Sequence, residues 1–327
     1  MNNTIYYLKE KGMFFPETVV MPELKSDYVR VKNLYCGICG GDYSKYIGRR
    51  NKYGISLGHE FASTVVQVGD GVSAFDVGMI VVSDFNYRCG QCVYCRSGRS
   101  HLCNENDIEL FSNRAFSDYS DIHQSYLVHA DVLQDNLISA TCIEPLSCAI
   151  HAVNSVPINR DDCILIMGAG NIGTAIAFYL KSILHMKNVY IKDIWEEKSN
   201  RVVQFFDCKK YRNDMVFNII FEATDSLEGL IYALSKSMRG GRVCSVNHLY
   251  GLDTSLAYDE IVKNEIMITY PLRNGEKINI ERAAQYISQD WEPAFNIMLE
   301  VSNIANINEV FEKKSRSRYN RQIISMI

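Results

Sequence analysis

The sequence predicts an α/β protein in two parts, a β-rich first part followed by a doubly wound parallel sheet. Three observations carry this. Short apolar runs of period two, punctuated by glycine, fill the early chain, as in 28–35 and 61–82. An apolar strand, a Gly-x-Gly-x-x-Gly turn and an apolar-faced helix succeed one another between Cys163 and Leu184. At 327 residues the chain is also longer than one comfortable hydrophobic core.

Composition is that of an ordinary globule, 47% hydrophobic and 22% charged, with a formal net charge of -4. A slight negative balance offers no general attraction to nucleic acid or anionic membrane. The opening residues Met1 to Glu10 lack an apolar targeting core, and no run of eighteen apolar residues occurs, so the expectation is a cytoplasmic protein that spans no bilayer. Eleven cysteines are many for a reducing compartment unless metal ions hold some of them.

In the first part, Tyr28 to Tyr35 alternates as a half-buried strand should. Cys36-Gly-Ile-Cys39 and, further on, Leu57-Gly58-His59-Glu60-Phe61 follow it. Cys36 with Cys39 reads as a redox or metal pair. Cys39 with His59 and Glu60 reads as an open metal set of thiolate, imidazole and carboxylate; a lone His59 could equally be a core or turn histidine. Cys89, Cys92, Cys95 and Cys103 are separated by two, two and seven residues. That spacing suits a closed tetrahedral Zn²⁺ site with a structural role, although four thiolates also suit an iron–sulfur centre. Disulfides between cysteines so close in sequence are geometrically poor. Glu144 then interrupts an apolar run at the start of a predicted helix, where it either favours the helix N-terminus or meets a buried cation.

In the second part, Cys163 to Met167 is an apolar strand running into Gly168-Ala-Gly170-Asn171-Ile172-Gly173. The first glycine makes the turn, the second lets backbone approach a pyrophosphate, and the third lets helix pack on sheet. The next strand ends at Asp193, where a carboxylate accepts from ribose hydroxyls and repels a 2′-phosphate. NAD is therefore favoured, while Lys192, Lys198 and Arg201 keep NADP in play; capping of the following helix is the other reading of Asp193. Val216 to Phe221, Gly240 to Val246 and Glu265 to Tyr270 read as further parallel strands. The pattern turns helical from Glu281, and Tyr319 to Ile327 reads as a closing strand.

Together, Gly37-Ile-Cys39-Gly-Gly-Asp42, Gly58-His59-Glu60-Phe61, the four-cysteine run, Glu144-Pro145-Leu146 with His151-Ala152, and Gly168 to Gly173 resemble the zinc-dependent medium-chain alcohol and polyol dehydrogenases, in particular the sorbitol and threonine dehydrogenase branch. The resemblance implies a GroES-like β-rich catalytic domain at 1–147, a Rossmann NAD(P)-binding domain at 148–283 and a return to the catalytic domain at 284–327. It implies about two Zn²⁺ per chain. One is catalytic on Cys39, His59 and Glu144, with Glu60 able to exchange in; the other is structural on the four cysteines. It further implies a homodimer or homotetramer acting on a small polyol or sugar derivative, free or phosphorylated, with no nucleic-acid or membrane partner.

Three departures from the family pattern stand out. Gly41 replaces the usual hydroxyl of the proton relay, and Ser44 stands where a relay histidine is common. Only 28 residues lie between Asp193 and Glu222, so a strand–helix unit is expected to be trimmed and the middle of the Rossmann domain shortened. Asp225 and Asn247-His248 replace small residues beside the nicotinamide half. An NADPH-dependent ketose-phosphate reductase and a non-catalytic zinc-stabilised scaffold are the alternative functions. Lys313, Lys314, Arg316, Arg318 and Arg321 read either as a solvated basic face or as a patch for a substrate phosphate.

Overall fold

The computed structural model describes residues 1–84, 86, 88–105, 115–246, 258–290 and 298–327, without the side chains of 258–260, 290 and 315. Among the described residues the first part contains eight strands: β1 (Asn2–Glu10), β2 (Met13–Val20), β3 (Tyr28–Gly37), β4 (Ile55–Ser56), β5 (Glu60–Val68), β6 (Ile80–Ser83), β7 (Tyr119–His123) and β8 (Leu127–His129). The second contributes β9 (Ile164–Met167), β10 (Val189–Lys192), β11 (Lys209–Lys210), β12 (Phe217–Glu222), β13 (Ser237–Ser245) and β14 (Met267–Thr269). β15 (Leu299–Asn303) and β16 (Arg321–Ser325) follow.

These strands form three sheets. A small one has the order β2-β1-β4; a seven-stranded one runs β15-β16-β3-β5-β6-β8 with β7 beside β3; a six-stranded parallel one runs β11-β10-β9-β12-β13-β14. The C-terminal segment is thus part of the first sheet system, with β16 antiparallel to β3. Phe311, on the helix Ile307–Lys313, lies in the same core as Phe14, Phe116 and Phe61; its ring centroid is 4.9 Å from that of Phe14.

The parallel sheet is buried on both faces, as its near-continuous apolar runs require. Along β9, Ile164 and Ile166 enter one core while Leu165 and Met167 enter the other. The order β11-β10-β9-β12-β13-β14 is the 3-2-1-4-5-6 order of a dinucleotide-binding sheet.

Four sequence expectations need correction. The trimmed unit is not a whole strand and helix: a two-residue strand, β11, survives, and residues 211–216 cross to β12 without a helix. The helix after the glycine turn is α-helical only over Asn171–Phe178 and continues as a π-helical turn, Tyr179–Ile183. The helix expected from Glu281 begins earlier, at Lys277. The C-terminal basic residues do not share one patch. Arg321 is buried, Lys314 donates to Ile38 O at 3.2 Å, Lys313 pairs with Glu309, and Arg318 lies 3.8 Å from Glu197. No helix among the described residues is long and apolar enough to cross a membrane.

Candidate active site

Cys39 sits just past the end of β3 as the N-cap of the helix Gly40–Tyr46, its Sγ accepting from Gly41 N–H at 3.3 Å. His59 precedes β5 and is aimed by Gly58, whose φ of +96° favours glycine. A Cβ on Gly58 would also come within 3.0 Å of Cys36 Sγ. His59 Nδ1 faces Asp42 Oδ2 at 3.6 Å, and Asp42 is fully buried.

Ligand atoms of Cys39, His59 and Glu60 all lie within 4.8 Å of one another. Glu144, in the first turn of the helix Ile143–Asn154, lines the same cavity outside that close trio and accepts from Cys148 Sγ at 3.4 Å. The cavity, about 280 Å³, is also lined by Ser44, Ile172, Val246 and Asp225. Of the predicted residues, Cys39, His59, Glu60, Glu144, Ser44 and Ile172 therefore share one pocket.

Sequence reasoning missed how Glu60 is held. Its carboxylate pairs with Arg321 at 2.9 Å and accepts from Asn171 Nδ2 at 3.1 and 3.2 Å. Arg321 also donates to Asn171 Oδ1 and, at 2.7 Å, to Thr141 O. Both charged partners are nearly sealed from solvent, Arg321 at 2% and Glu60 at 1% exposure. The one local signal was Gly37, where a Cβ would fall 1.9 Å from Arg321 Nη2 and 2.5 Å from Glu60 Oε2.

Burial and crowding shape the acidity of the pocket. Burial, then Glu60, Asp42 and Glu144, push the Cys39 thiol well above its ordinary range. Burial, then Glu60, raise the Glu144 carboxyl to about 8. Removing water from several anionic groups disfavours their charged forms, and a divalent cation among them would reverse that. The donor set of one thiol, one imidazole and carboxylates accordingly fits Zn²⁺ with a position left open.

The second cluster is of another kind. Cys89, Cys92, Cys95 and Cys103 have all four Sγ atoms within 4.8 Å of one another, and none is in a disulfide. Cys89 Sγ and Cys95 Sγ are 3.9 Å apart, close to the edge of about 3.8 Å that a tetrahedron with Zn–S bonds of about 2.3 Å requires. Backbone N–H groups point at the sulfurs, from Gln91 and Cys92 to Cys89 and from Cys95 to Cys92. The bond from Cys95 N–H, with a lesser one from Asn104 N–H, brings the Cys92 thiol down to about 6. Four sulfurs fit a closed structural metal.

This lobe grips the loop that follows β14. Ser100 Oγ donates to Glu276 at 2.7 Å, Arg88 Nη2 to Gly275 O at 3.3 Å and Asn86 Nδ2 to Gly275 O at 3.2 Å. Asn274 donates to Asp84 at 3.2 Å, and Arg273 Nη1 donates to Asn86 Oδ1 at 3.3 Å. Arg273 lines the pocket of Cys39 and His59, so one loop touches both the lobe and the pocket.

At the glycine turn, Gly168 has φ +94°, and a Cβ on Gly173 would fall 1.8 Å from Gly168 O. A Cβ on Gly170 would meet nothing within 4 Å, so the turn is open there. Asp193 accepts from Ala169 N–H at 2.7 Å and Trp195 N–H at 2.8 Å, bracing the turn; the next helix, Glu196–Phe206, has Trp195 as its N-cap and no side-chain cap bond, so the capping reading of Asp193 does not hold. Asp225, in the left-handed region at φ +55°, pairs with Arg49 at 2.9 Å. Asn247 and His248 lie outside the described residues.

Residues 25–132 match the alcohol dehydrogenase GroES-like domain. The chain is 27% identical to a sorbitol dehydrogenase of Halalkalibacterium halodurans over 308 residues, 88% of this chain and 85% of the relative. It is 31% identical to D-arabinitol dehydrogenase 1 of Uromyces fabae over 265 residues, 75% of this chain and 74% of the relative. Its fold matches that of the alcohol dehydrogenase RspB from Escherichia coli, solved in complex with NADH, at a TM-score of 0.85 and 20% identity over 99% of both chains. The two metal-fitting clusters, the glycine turn and this extended likeness agree: the chain is an oxidoreductase and belongs to the zinc-type medium-chain alcohol and polyol dehydrogenase family.

Proposed function

We propose that this enzyme transfers a hydride between a nicotinamide cofactor and the secondary alcohol or ketone carbon of a polyol, cyclitol or sugar derivative. Cys39, His59 and a carboxylate from Glu60 or Glu144 would hold the catalytic Zn²⁺. The observation carrying this reading is the mixed set of thiol, imidazole and carboxylate atoms within 4.8 Å, in a cavity that Ile172 of the glycine turn also lines. Zn²⁺ at that position supplies Lewis-acid polarisation of a hydroxyl or carbonyl oxygen.

The rest falls to the chain's own groups. Asp42 orients the His59 ring. Ser44 carries a buried hydroxyl on the pocket wall and offers a proton route that Gly41 cannot. Backbone N–H groups at the start of the helix Asn171–Phe178 face the open side of Gly170, a setting for pyrophosphate. A carboxylate at Asp193 supports NAD over NADP. Because it also braces Ala169, Asp193→Ala would loosen the turn as well as the ribose contact. The four-thiolate lobe would hold a second, structural Zn²⁺. Eleven cysteines without a disulfide suit a cytoplasmic setting, and assembly as a homodimer or homotetramer belongs to the same reading.

The test is a panel of polyols, cyclitols and simple primary alcohols, assayed in both directions with both dinucleotides by nicotinamide absorbance. Secondary alcohols of polyols should lead. Cys39→Ala should lose about 10³-fold or more of the turnover yet keep its NAD affinity. Full turnover by that variant would refute the mechanism.

A further inference from the structure

We propose that Asn171, a residue of the glycine turn, is also a positioning residue for the metal site, and that through it metal occupancy and dinucleotide binding strengthen each other. This rests on the functional reading above and adds a regulation of the same site.

Two sites share these side chains. Glu60 lies with Cys39 and His59 in the trio whose ligand atoms are within 4.8 Å of one another. Asn171 follows Gly170 in the glycine turn and begins the helix Asn171–Phe178. Its amide joins the two places. Asn171 Nδ2 donates to Glu60 Oε1 at 3.1 Å and to Oε2 at 3.2 Å, while its Oδ1 accepts from Arg321 Nη1. Arg321 in turn pairs with Glu60 Oε2 at 2.9 Å. Carboxylate, amide and guanidinium thus form a closed triangle, in which a shift of one member strains its bonds to the other two.

The triangle has little room to relax. The backbone of Gly37 comes so near that a Cβ there would fall 2.5 Å from Glu60 Oε2. Behind the turn, the cavity lined by Asn171, Thr174, Asn320 and Arg321 is about 10 Å³, at the lower limit for one water molecule. Asn320 fastens the turn by donating to Ala169 O at 2.7 Å, and Arg321 is anchored on Thr141 O at 2.7 Å. At Gly170, by contrast, a Cβ would meet nothing within 4 Å. The turn is open to a ligand at one residue and tied to a metal-site carboxylate at the next.

Charge sets the sign of the coupling. Glu60 shares its pocket with the carboxylates of Glu144 and Asp42, and like charges there disfavour a fixed Glu60. A divalent cation reverses that preference and holds the carboxylate in place. A fixed Glu60 fixes the Asn171 amide, and a turn already ordered costs less to bind a dinucleotide. Linkage makes the effect mutual: the factor that metal gives to dinucleotide affinity, dinucleotide gives to metal affinity.

The experiment is a cycle of equilibrium binding, read by calorimetry and independent of turnover. NADH and ADP-ribose, which lacks the nicotinamide ring, are titrated into protein holding about two zincs per chain. They are also titrated into protein dialysed against a chelator until the open site is emptied and about one zinc remains. In wild type the fully loaded form should bind each ligand about tenfold more tightly. In Asn171→Ala the ratio should fall to about twofold or less, and Asn171→Ser, too short to span Glu60 and Arg321, should match it. Loss of a direct ligand contact would weaken both metal forms alike and leave the ratio unchanged. The same factor should appear when zinc in the loaded protein is partitioned against the chelator with and without ADP-ribose. That arm needs no depleted protein, so it holds even where the depleted form unfolds.

Equal NADH affinity in the two metal forms of wild type would refute the coupling and leave the dehydrogenase reading standing. A ratio that persists in both Asn171 variants would overturn the role of Asn171. Coupling seen with NADH and absent with ADP-ribose would assign it to the nicotinamide ring beside the metal, which overturns the route through the turn. Failure of NADH to bind in either metal form would overturn the functional reading, and this inference with it.

Discussion

The four thiolates at 89–103 come from one short stretch and leave much of the lobe exposed, whereas the pocket of Cys39 and His59 is assembled from segments far apart in the chain and sealed by buried charge. The first is a local chelate, specified by spacing alone. The second exists only once β3, β5, β16 and the glycine turn have docked, because Arg321 and Asn171 hold Glu60 across those elements. A closed site stabilises its own lobe; an open one depends on the whole fold for support.

That contrast can be broken at its strongest point. Arg321→Met leaves Glu60 buried without its cation and should destabilise the protein by about 3–5 kcal/mol, read from urea unfolding. A variant as stable as wild type would show that the pair is not what seals the pocket. Cys92→Ser tests the lobe. Metal analysis should fall from about two zincs per chain to about one. Because the lobe grips Gly275 and Glu276, kcat/KM should also fall by about tenfold through misplacement of the pocket wall. Unchanged kinetics in a one-zinc protein would separate lobe from pocket.

A smaller effect lies where lobe and parallel sheet meet. His151 meets His101 edge to face with centroids 4.7 Å apart, and burial, then His101, bring its pKa down to about 4. With the folded value below the ordinary 6.5, the unfolded chain binds the proton first. Stability is therefore full above about pH 6.5 and declines as pH falls toward 4. The loss should be about 1 kcal/mol after allowing for partial exposure, and His151→Gln should flatten that part of the stability–pH curve. Smallest of all is Gly41→Ser, whose Cβ would meet only Cys39 Sγ at 3.7 Å. Stability should change by less than about 0.5 kcal/mol, and a restored hydroxyl should alter the solvent isotope effect on turnover by no more than a few-fold.

What was legible in the sequence follows the same division. The strand at 28–35, the four-cysteine spacing and the strand–glycine–helix turn are local patterns, and the structure contains β3, the sulfur cluster and the β9 turn at those places. Gly173 has no room for a Cβ, which is the packing reason first read from its position in the turn. The Glu60–Arg321 pair was not legible, because its members are remote in sequence and Arg321 stands in a basic run that resembles a solvated face. The second role of Asp193, bracing Ala169, needs the register of β10 against β9 to be seen. The surviving β11 was missed because two residues carry no period.

The connection 211–216 has a geometric consequence for that strand. It leaves β11 at one edge of the sheet and must reach β12, three strand positions away past β10 and β9. That is a lateral span of about 14 Å. It must also return along the length of β11, since β11, β10, β9 and β12 run parallel. For a two-residue strand the diagonal is about 16 Å, within the 20–22 Å or so that six extended residues span. A five-residue strand would need about 22 Å and leave no slack. Tether and strand are thus matched in length: once the crossover lost its helix, the outermost strand could be only a remnant. Tyr211, hydrogen-bonded to Tyr232 at 2.6 Å with Lys192 4.8 Å above its ring, pins the tether where a helix would otherwise have covered the sheet.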